Sequence, residues 1–180
     1  MRLLLIGCTG FVGRELVPRL LDAGHQLTLI SRKARPSWLS KAGSKTLLHL
    51  KLDPASPKSW QEEVLINELQ IADGVINLAG EPIAEQRWTD QHLEKLLQSR
   101  VKTTQSIVTA MKTLKRPPSV LVNASAIGFY GTSNANEFNE ESSCGTDFLA
   151  NLCTQWEASA KLKPRSTRLV ILRLGIVLGA

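Results

Sequence analysis

With 180 residues, 43% hydrophobic and 21% charged, the chain can bury a sizeable single core, and no window reaches the roughly 18 apolar residues of a membrane span. Its net charge of +6 comes from Lys and Arg scattered in ones and twos, at Arg32 and Lys33, from Lys112 to Arg116 and from Lys161 to Arg165; this describes a solvated basic surface and points away from nucleic acid. Cys8, Cys144 and Cys153 are an odd set without metal-like spacing, so we expect reduced thiols, no metal site and a cytoplasmic location.

The chain opens MRLLLIGCTGFVGREL. The "LIGC" stretch resembles a lipobox, but only Leu3 to Ile6 are strongly apolar ahead of Cys8, short of the about 7–15 apolar residues of a secretory core. A strand over 2–7 feeding a glycine-rich turn fits better. Gly7, Gly10 and Gly13 form GxxGxxG directly after it, and a helix over 12–24 starts inside the pattern, with Val12, Leu16, Val17, Leu20 and Leu21 on one face. In a dinucleotide fold the first glycine permits a tight turn and the second lets the backbone approach the pyrophosphate. The third lets helix and strand pack closely. The pyrophosphate then rests on the amides of the helix N-terminus. Pro18 inside this helix costs a hydrogen bond or introduces a kink, and His25 ends it.

A second strand over 26–31 ends in "LISRK", where NAD-binding folds usually place Asp or Glu to accept from the ribose 2′-hydroxyl. Ser31, Arg32 and Lys33 stand there instead. A carboxylate would repel a 2′-phosphate, whereas an arginine pairs with it bidentately, so NADP is favoured over NAD. The missing acid also disfavours S-adenosylmethionine. The competing reading of the same residues is a solvent-exposed basic turn.

Further apolar runs over 46–52, 74–80, 119–125 and 168–175 read as strands, and 90–114 and 146–163 carry helical spacing. Continuously apolar strands alternating with helices point to an α/β fold, a doubly wound and mostly parallel Rossmann sheet. Between Gly128 and Gly145 the chain holds turn formers, acids and three aromatics, Phe129, Tyr130 and Phe138. A loop this long is functional or mobile, and it follows a strand C-terminus, where open α/β sheets place their ligands. His25, His49 and His92 form no cluster, and Trp88 and Trp156 read as core or interface aromatics rather than substrate contacts.

The ordered set "GCTGFVG", "SRK", "INLAGEPIAEQRW", "SRVKTTQSI", "NASAIGFYG", "DFLANLCTQWE" and "LRLGIVLG" resembles atypical extended short-chain dehydrogenases/reductases. The likeness is to the epimerase-like family that includes SulA-type proteins and the short-chain dehydrogenase family 39U group. It implies an NADP-binding Rossmann domain in which Gly7, Thr9, Gly10, Phe11, Val12 and Gly13 cradle the pyrophosphate. Ser31 and Arg32 would hold the 2′-phosphate, and Asp53 would lie near the adenine. Asn77, Leu78, Ala79, Gly80 and Glu81 would line the ribose and nicotinamide side, with Arg100 in the helix packed beside them. Ser125 takes the place of the catalytic serine, and Val177 lies in the segment that closes over the nicotinamide.

This chain departs from the family at the proton relay. Active members use Tyr-x-x-x-Lys, the lysine lowering the tyrosine pKa so that the phenol exchanges a proton with the substrate oxygen. Here the single tyrosine is Tyr130, residue 134 is Asn, and the expected helix reads Cys153-Thr-Gln-Trp-Glu157. Ser125 and Tyr130 then polarise a carbonyl, with Ser125 as donor to the substrate oxygen. Alternatively Cys153 and Glu157, at i and i+4, form a different acid–base pair, or Cys153 is a small buried residue and Glu157 partners an arginine such as Arg173. A site that binds NADP without turnover is the third option.

Extended relatives continue past the sixth strand into a domain that shapes the substrate pocket, so the resemblance implies that a C-terminal substrate domain is absent from this chain. An uncovered sheet edge would favour association, such as a homo-oligomer. Two functions follow as expectations. One is hydride transfer to or from a small carbonyl or alcohol of unknown identity. The other is an inactive NADP(H)-responsive regulator or scaffold, linked to division by family analogy alone.

Overall fold

The computed structural model describes residues 1–39 and 46–178. Six short apolar runs become β1 (Arg2–Ile6), β2 (Gln26–Ser31), β3 (Leu47–Lys51), β4 (Gly74–Asn77), β5 (Val120–Ala126) and β6 (Arg168–Leu174). They form one sheet in the order β3-β2-β1-β4-β5-β6, with every neighbouring pair parallel. Parallel neighbours need crossovers, supplied by α1 (Phe11–Asp22), α2 (Glu63–Ile71), α3 (Asp90–Thr113) and α4 (Phe148–Lys161).

Because side chains alternate across a strand, β1 feeds both faces. Leu3 and Leu5 pack with Val17 of α1 and Leu27 and Leu29 of β2, whereas Leu4 and Ile6 pack with Leu65 and Leu69 of α2, Ile107 and Met111 of α3 and Ala160 of α4. Both faces are therefore covered, and the expected doubly wound Rossmann sheet is the architecture observed. No helix among the described residues is long and apolar enough to cross a membrane.

Two elements differ from the sequence reading. Helix α2 went unrecognised, although Leu65 and Leu69, one turn apart, are its buried residues. β4 stops at Asn77 rather than at residue 80, because Leu78 to Gly80 leave the sheet to form a loop. Helix α1 continues through Pro18. It closes at Gly24 (φ +80°), where His25 N–H donates to Leu20 O at 3.0 Å and Gly24 N–H to Leu21 O at 2.9 Å, a Schellman ending.

Strand order reverses between β1 and β4, and at such a switch point the loops at the strand C-termini separate and leave a crevice. The approach of α1 to β1 beside it requires Gly13, where a Cβ would lie 1.9 Å from Cys8 O. We expect Gly13→Ala to lower the unfolding free energy by about 3 kcal/mol. Gly24→Ala, strained in φ but with nothing within 4 Å of its Cβ, should lose only about 1 kcal/mol. Urea denaturation of both variants checks this, and equal losses would contradict the helix–strand contact.

Candidate functional site

Two hollows lie over the C-terminal ends of the strands. The smaller, 290 Å³, is lined by Thr9, Ser31, Arg32 and Asp53 among others. The larger, 880 Å³, is lined by Phe11, Val12, Ser125, Tyr130, Cys153 and Gly175 among others. They share Gly7, Gly10, Leu78, Ala79, Gly80 and Pro82, so together they form one cleft crossing the switch point.

The glycine turn is the waist of that cleft. Gly7 has φ +74°, and a Cβ there would lie 2.4 Å from Ala79 N, so only glycine lets the turn pass under the β4 loop. Gly10 is open: the nearest atom to a Cβ would be Gly7 O at 3.6 Å. No side chain caps α1 at Gly10, which leaves the first-turn amides for a ligand. An open glycine beside uncapped helix amides suits a pyrophosphate.

At the smaller hollow, Ser31 Oγ donates to Lys33 O at 2.9 Å and meets His49 Nε2 at 2.8 Å. The hydroxyl has one hydrogen, so His49 is the donor to it. Burial, and then the charge of Arg35, lower the His49 pKa from its usual value. His49 thus holds Ser31 in place, a role that sequence reading missed because it comes from the β2–β3 register, which sets His49 beside Leu29. Arg32 Nη2 reaches across to Glu81 Oε2 at 3.2 Å. Asp53 turns one carboxylate oxygen back onto Ala55 N–H at 3.1 Å.

Asn77 faces the interior rather than the cleft. It is fully buried, with Nδ2 donating to Thr104 Oγ1 at 3.0 Å and Asn123 Oδ1 at 2.7 Å while Oδ1 accepts from Ala79 N–H at 3.1 Å. Thr104 also accepts from Trp156 Nε1 at 3.0 Å, so Trp156 is a buried tie between α4 and α3. Trp88 is half exposed and tilted against Phe148. Arg100 lines the larger hollow, and its Nη2 donates to Glu81 O at 3.0 Å. Glu81 and Val177 line neither hollow, although Gly175 and Ile176 do.

At the far end Ser125 stands where expected, but its hydrogen is committed: Oγ donates to Glu157 Oε1 at 2.7 Å. Arg173 of β6 clamps the same carboxylate, Nε to Oε1 at 2.8 Å and Nη2 to Oε2 at 3.0 Å. Burial would raise the Glu157 pKa, yet hydrogen bonds from Arg173 and Ser125 and the charge of Arg173 hold it below its usual value. Cys153 is pushed up, chiefly by burial, so it stays a thiol. Glu157 is therefore the partner of Arg173, and Cys153 and Glu157 do not form an acid–base pair.

Arg173 Nη1 also donates to Tyr130 Oη at 2.9 Å, while its guanidinium lies 3.6 Å from the Phe129 ring centroid. Tyr130 stacks on Phe138 with centroids 5.3 Å apart and planes 7° from parallel. Phe138 comes from the long loop after β5, which is pinched shut where Gly145 N–H donates to Phe129 O at 2.9 Å. A Cβ on Gly145 would lie 2.7 Å from Gly131 Cα. The loop thereby lends an aromatic wall to the larger hollow.

Comparison with known proteins places the chain in a family and supports the fold. The chain matches the NAD dependent epimerase/dehydratase family over residues 3–173. It is 36% identical over 182 residues to the epimerase family protein SDR39U1 of Bos taurus, covering 99% of this chain and 55% of that protein. The crystal structure of human epimerase family protein SDR39U1 (isoform 2) with NADPH has a TM-score of 0.80 at 36% identity, covering 99% of this chain and 55% of that one. The UDP-glucuronic acid 4-epimerase of Bacillus cereus in complex with NAD shares the fold, with a TM-score of 0.76 at 20% identity over 97% of this chain and 56% of that one. The chain spans about half the length of the curated relatives it matches.

The lowered pKa of Glu157 makes its contribution to stability present above the unfolded value near 4.5 and lost as pH falls through the folded value. Glu157→Gln should lose about 2 kcal/mol at neutral pH and flatten the acid limb of the stability–pH curve. Thermal melts from pH 7 down to pH 3 check this, and parallel curves for the two proteins would contradict the Arg173–Glu157 assignment.

Proposed function

The chain belongs to the NAD dependent epimerase/dehydratase family, and from that premise we propose that its cleft binds NADP(H) in support of hydride transfer to or from a small carbonyl or alcohol. The observation that carries this reading is a single cleft with an open glycine turn at its waist, Arg32 at one end and Tyr130 at the other. Gly10 and the first-turn amides of α1 would hold the pyrophosphate, and Arg32 the 2′-phosphate. The bound nicotinamide would supply or accept the hydride.

The protein's own part is the proton. Ser125 can donate to a substrate oxygen only by turning away from Glu157, whereas Tyr130 accepts from Arg173 and keeps its own hydrogen for the cavity. On carbonyl reduction the phenol proton moves to the substrate oxygen, and the oxygen left behind stays beside the Arg173 cation. Arg173 would thus bring from β6 the charge that a lysine in α4 usually brings, with Glu157 in the lysine position as its anchor. The Phe138 and Tyr130 stack would shield this proton from water.

A second reading is favoured by the closure of that network. Ser125, Glu157 and Arg173 satisfy one another, which suits a site that binds the dinucleotide and signals its presence without turnover.

Titrating the protein with NADPH and NADH separates these readings. We expect Arg32→Ala to weaken NADPH about tenfold or more with little change for NADH, and Gly10→Asp to abolish both by placing a carboxylate against the pyrophosphate. Tyr130→Phe should slow NADPH oxidation by carbonyl compounds about 100-fold without weakening NADPH binding. Binding with no turnover on any carbonyl or alcohol would favour the signalling reading. No binding by a folded sample would refute both.

A further inference from the structure

The Arg32–Glu81 pair is more specific than a surface ion pair. Glu81 belongs to the loop after β4, yet its carboxylate meets an arginine at the end of β2, on the far side of β1. Its backbone is anchored on both sides, because Glu81 N–H donates to Ser99 Oγ at 2.9 Å and Glu81 O accepts from Arg100 Nη2 at 3.0 Å. The loop cannot drift, so the side chain is aimed. The contact is made by one guanidinium nitrogen and one carboxylate oxygen, with Arg32 63% and Glu81 28% exposed.

We propose that Glu81 is a specificity-determining residue that competes with the 2′-phosphate for Arg32 and opens the same cleft to NAD(H). This rests on the reading that the cleft binds NADP(H). The acid usual at the end of β2 is absent from "LISRK", and Glu81 brings a carboxylate from the neighbouring loop to the Arg32 side chain there. Asp53, the other acid at this end, turns an oxygen onto its own turn.

The signs of the effects agree. A 2′-phosphate must share the Arg32 guanidinium with Glu81, and it brings a dianion beside a carboxylate; both oppose NADP(H). A 2′-hydroxyl brings no such charge, so NAD(H) binds with the pair intact. Only the holding of Arg32 in place by Glu81 before the dinucleotide arrives works the other way. An ion pair this exposed tunes the preference rather than switching it, by about fivefold.

The test is titration of the full chain and of Glu81→Gln, Glu81→Asp and Arg32→Ala with NADPH and NADH at low and high salt. Glu81→Gln removes the charge and leaves both backbone anchors. It should tighten NADPH about fivefold and leave NADH unchanged or weaker, with the gain shrinking at high salt. Glu81→Asp, which keeps the charge on a shorter stem, should fall between. Weaker NADPH binding by Glu81→Gln would overturn the proposal and make Glu81 a support that positions Arg32. Equal shifts for both dinucleotides would overturn it as well. If Arg32→Ala fails to weaken NADPH selectively, the cleft reading itself fails and the role of Glu81 falls with it.

Discussion

The cleft depends on one buried amide. Asn77 ends β4 and joins three neighbours: Asn123 on β5, Thr104 on α3, and the backbone of Ala79, which turns away from the sheet. Thr104 extends the tie to Trp156 of α4. A fully buried amide is tolerated only when its hydrogen bonds are made, so this cluster fixes the directions in which two strands and two helices leave the switch point. Ala79 N is also the atom that a Cβ on Gly7 would strike. The height of the β4 loop over the glycine turn, and with it the width of the cleft, is set from inside.

The Ser125 end of the cleft repeats the same logic with charge. Glu157 of α4 is buried, and a buried carboxylate cannot be left unpaired. Arg173 resolves this from β6, and the β5–β6 register, which sets Ser125 opposite Arg173, makes the contact possible. The same guanidinium then has a nitrogen left for Tyr130. One cation on the sheet therefore joins a carboxylate of α4 to the phenol that follows β5.

Much of the fold was legible. Six apolar runs with helical segments between them read as a doubly wound sheet because strands covered on both faces must be continuously apolar, and GxxGxxG after the first of them marked the turn. Helix α2 escaped because its apolar residues are not confined to one face: Leu65 and Leu69 are buried, whereas Val64, Ile66 and Ile71 are exposed. At the site, the positions of Gly10, Arg32 and Ser125 along the cleft and the pairing of Glu157 with Arg173 are those the sequence implies. The site was illegible where a role depends on register or on a hydrogen bond: Asn77 facing inward, His49 bracing Ser31, and Ser125 giving its hydrogen to Glu157. Spacing along a chain does not reveal which of two lone pairs or hydrogens is taken.

The central claim is that the ends of the parallel strands converge on a dinucleotide cleft. Backbone amide shifts followed by ¹H–¹⁵N NMR during NADPH addition test it most directly. The account predicts saturable shifts concentrated at residues 7–13, 31–33, 78–81 and 125–131. Absence of shifts would contradict it, as would shifts gathered instead at the separate groove lined by Trp60, Lys102 and Thr109, between residues 55–61 and α3.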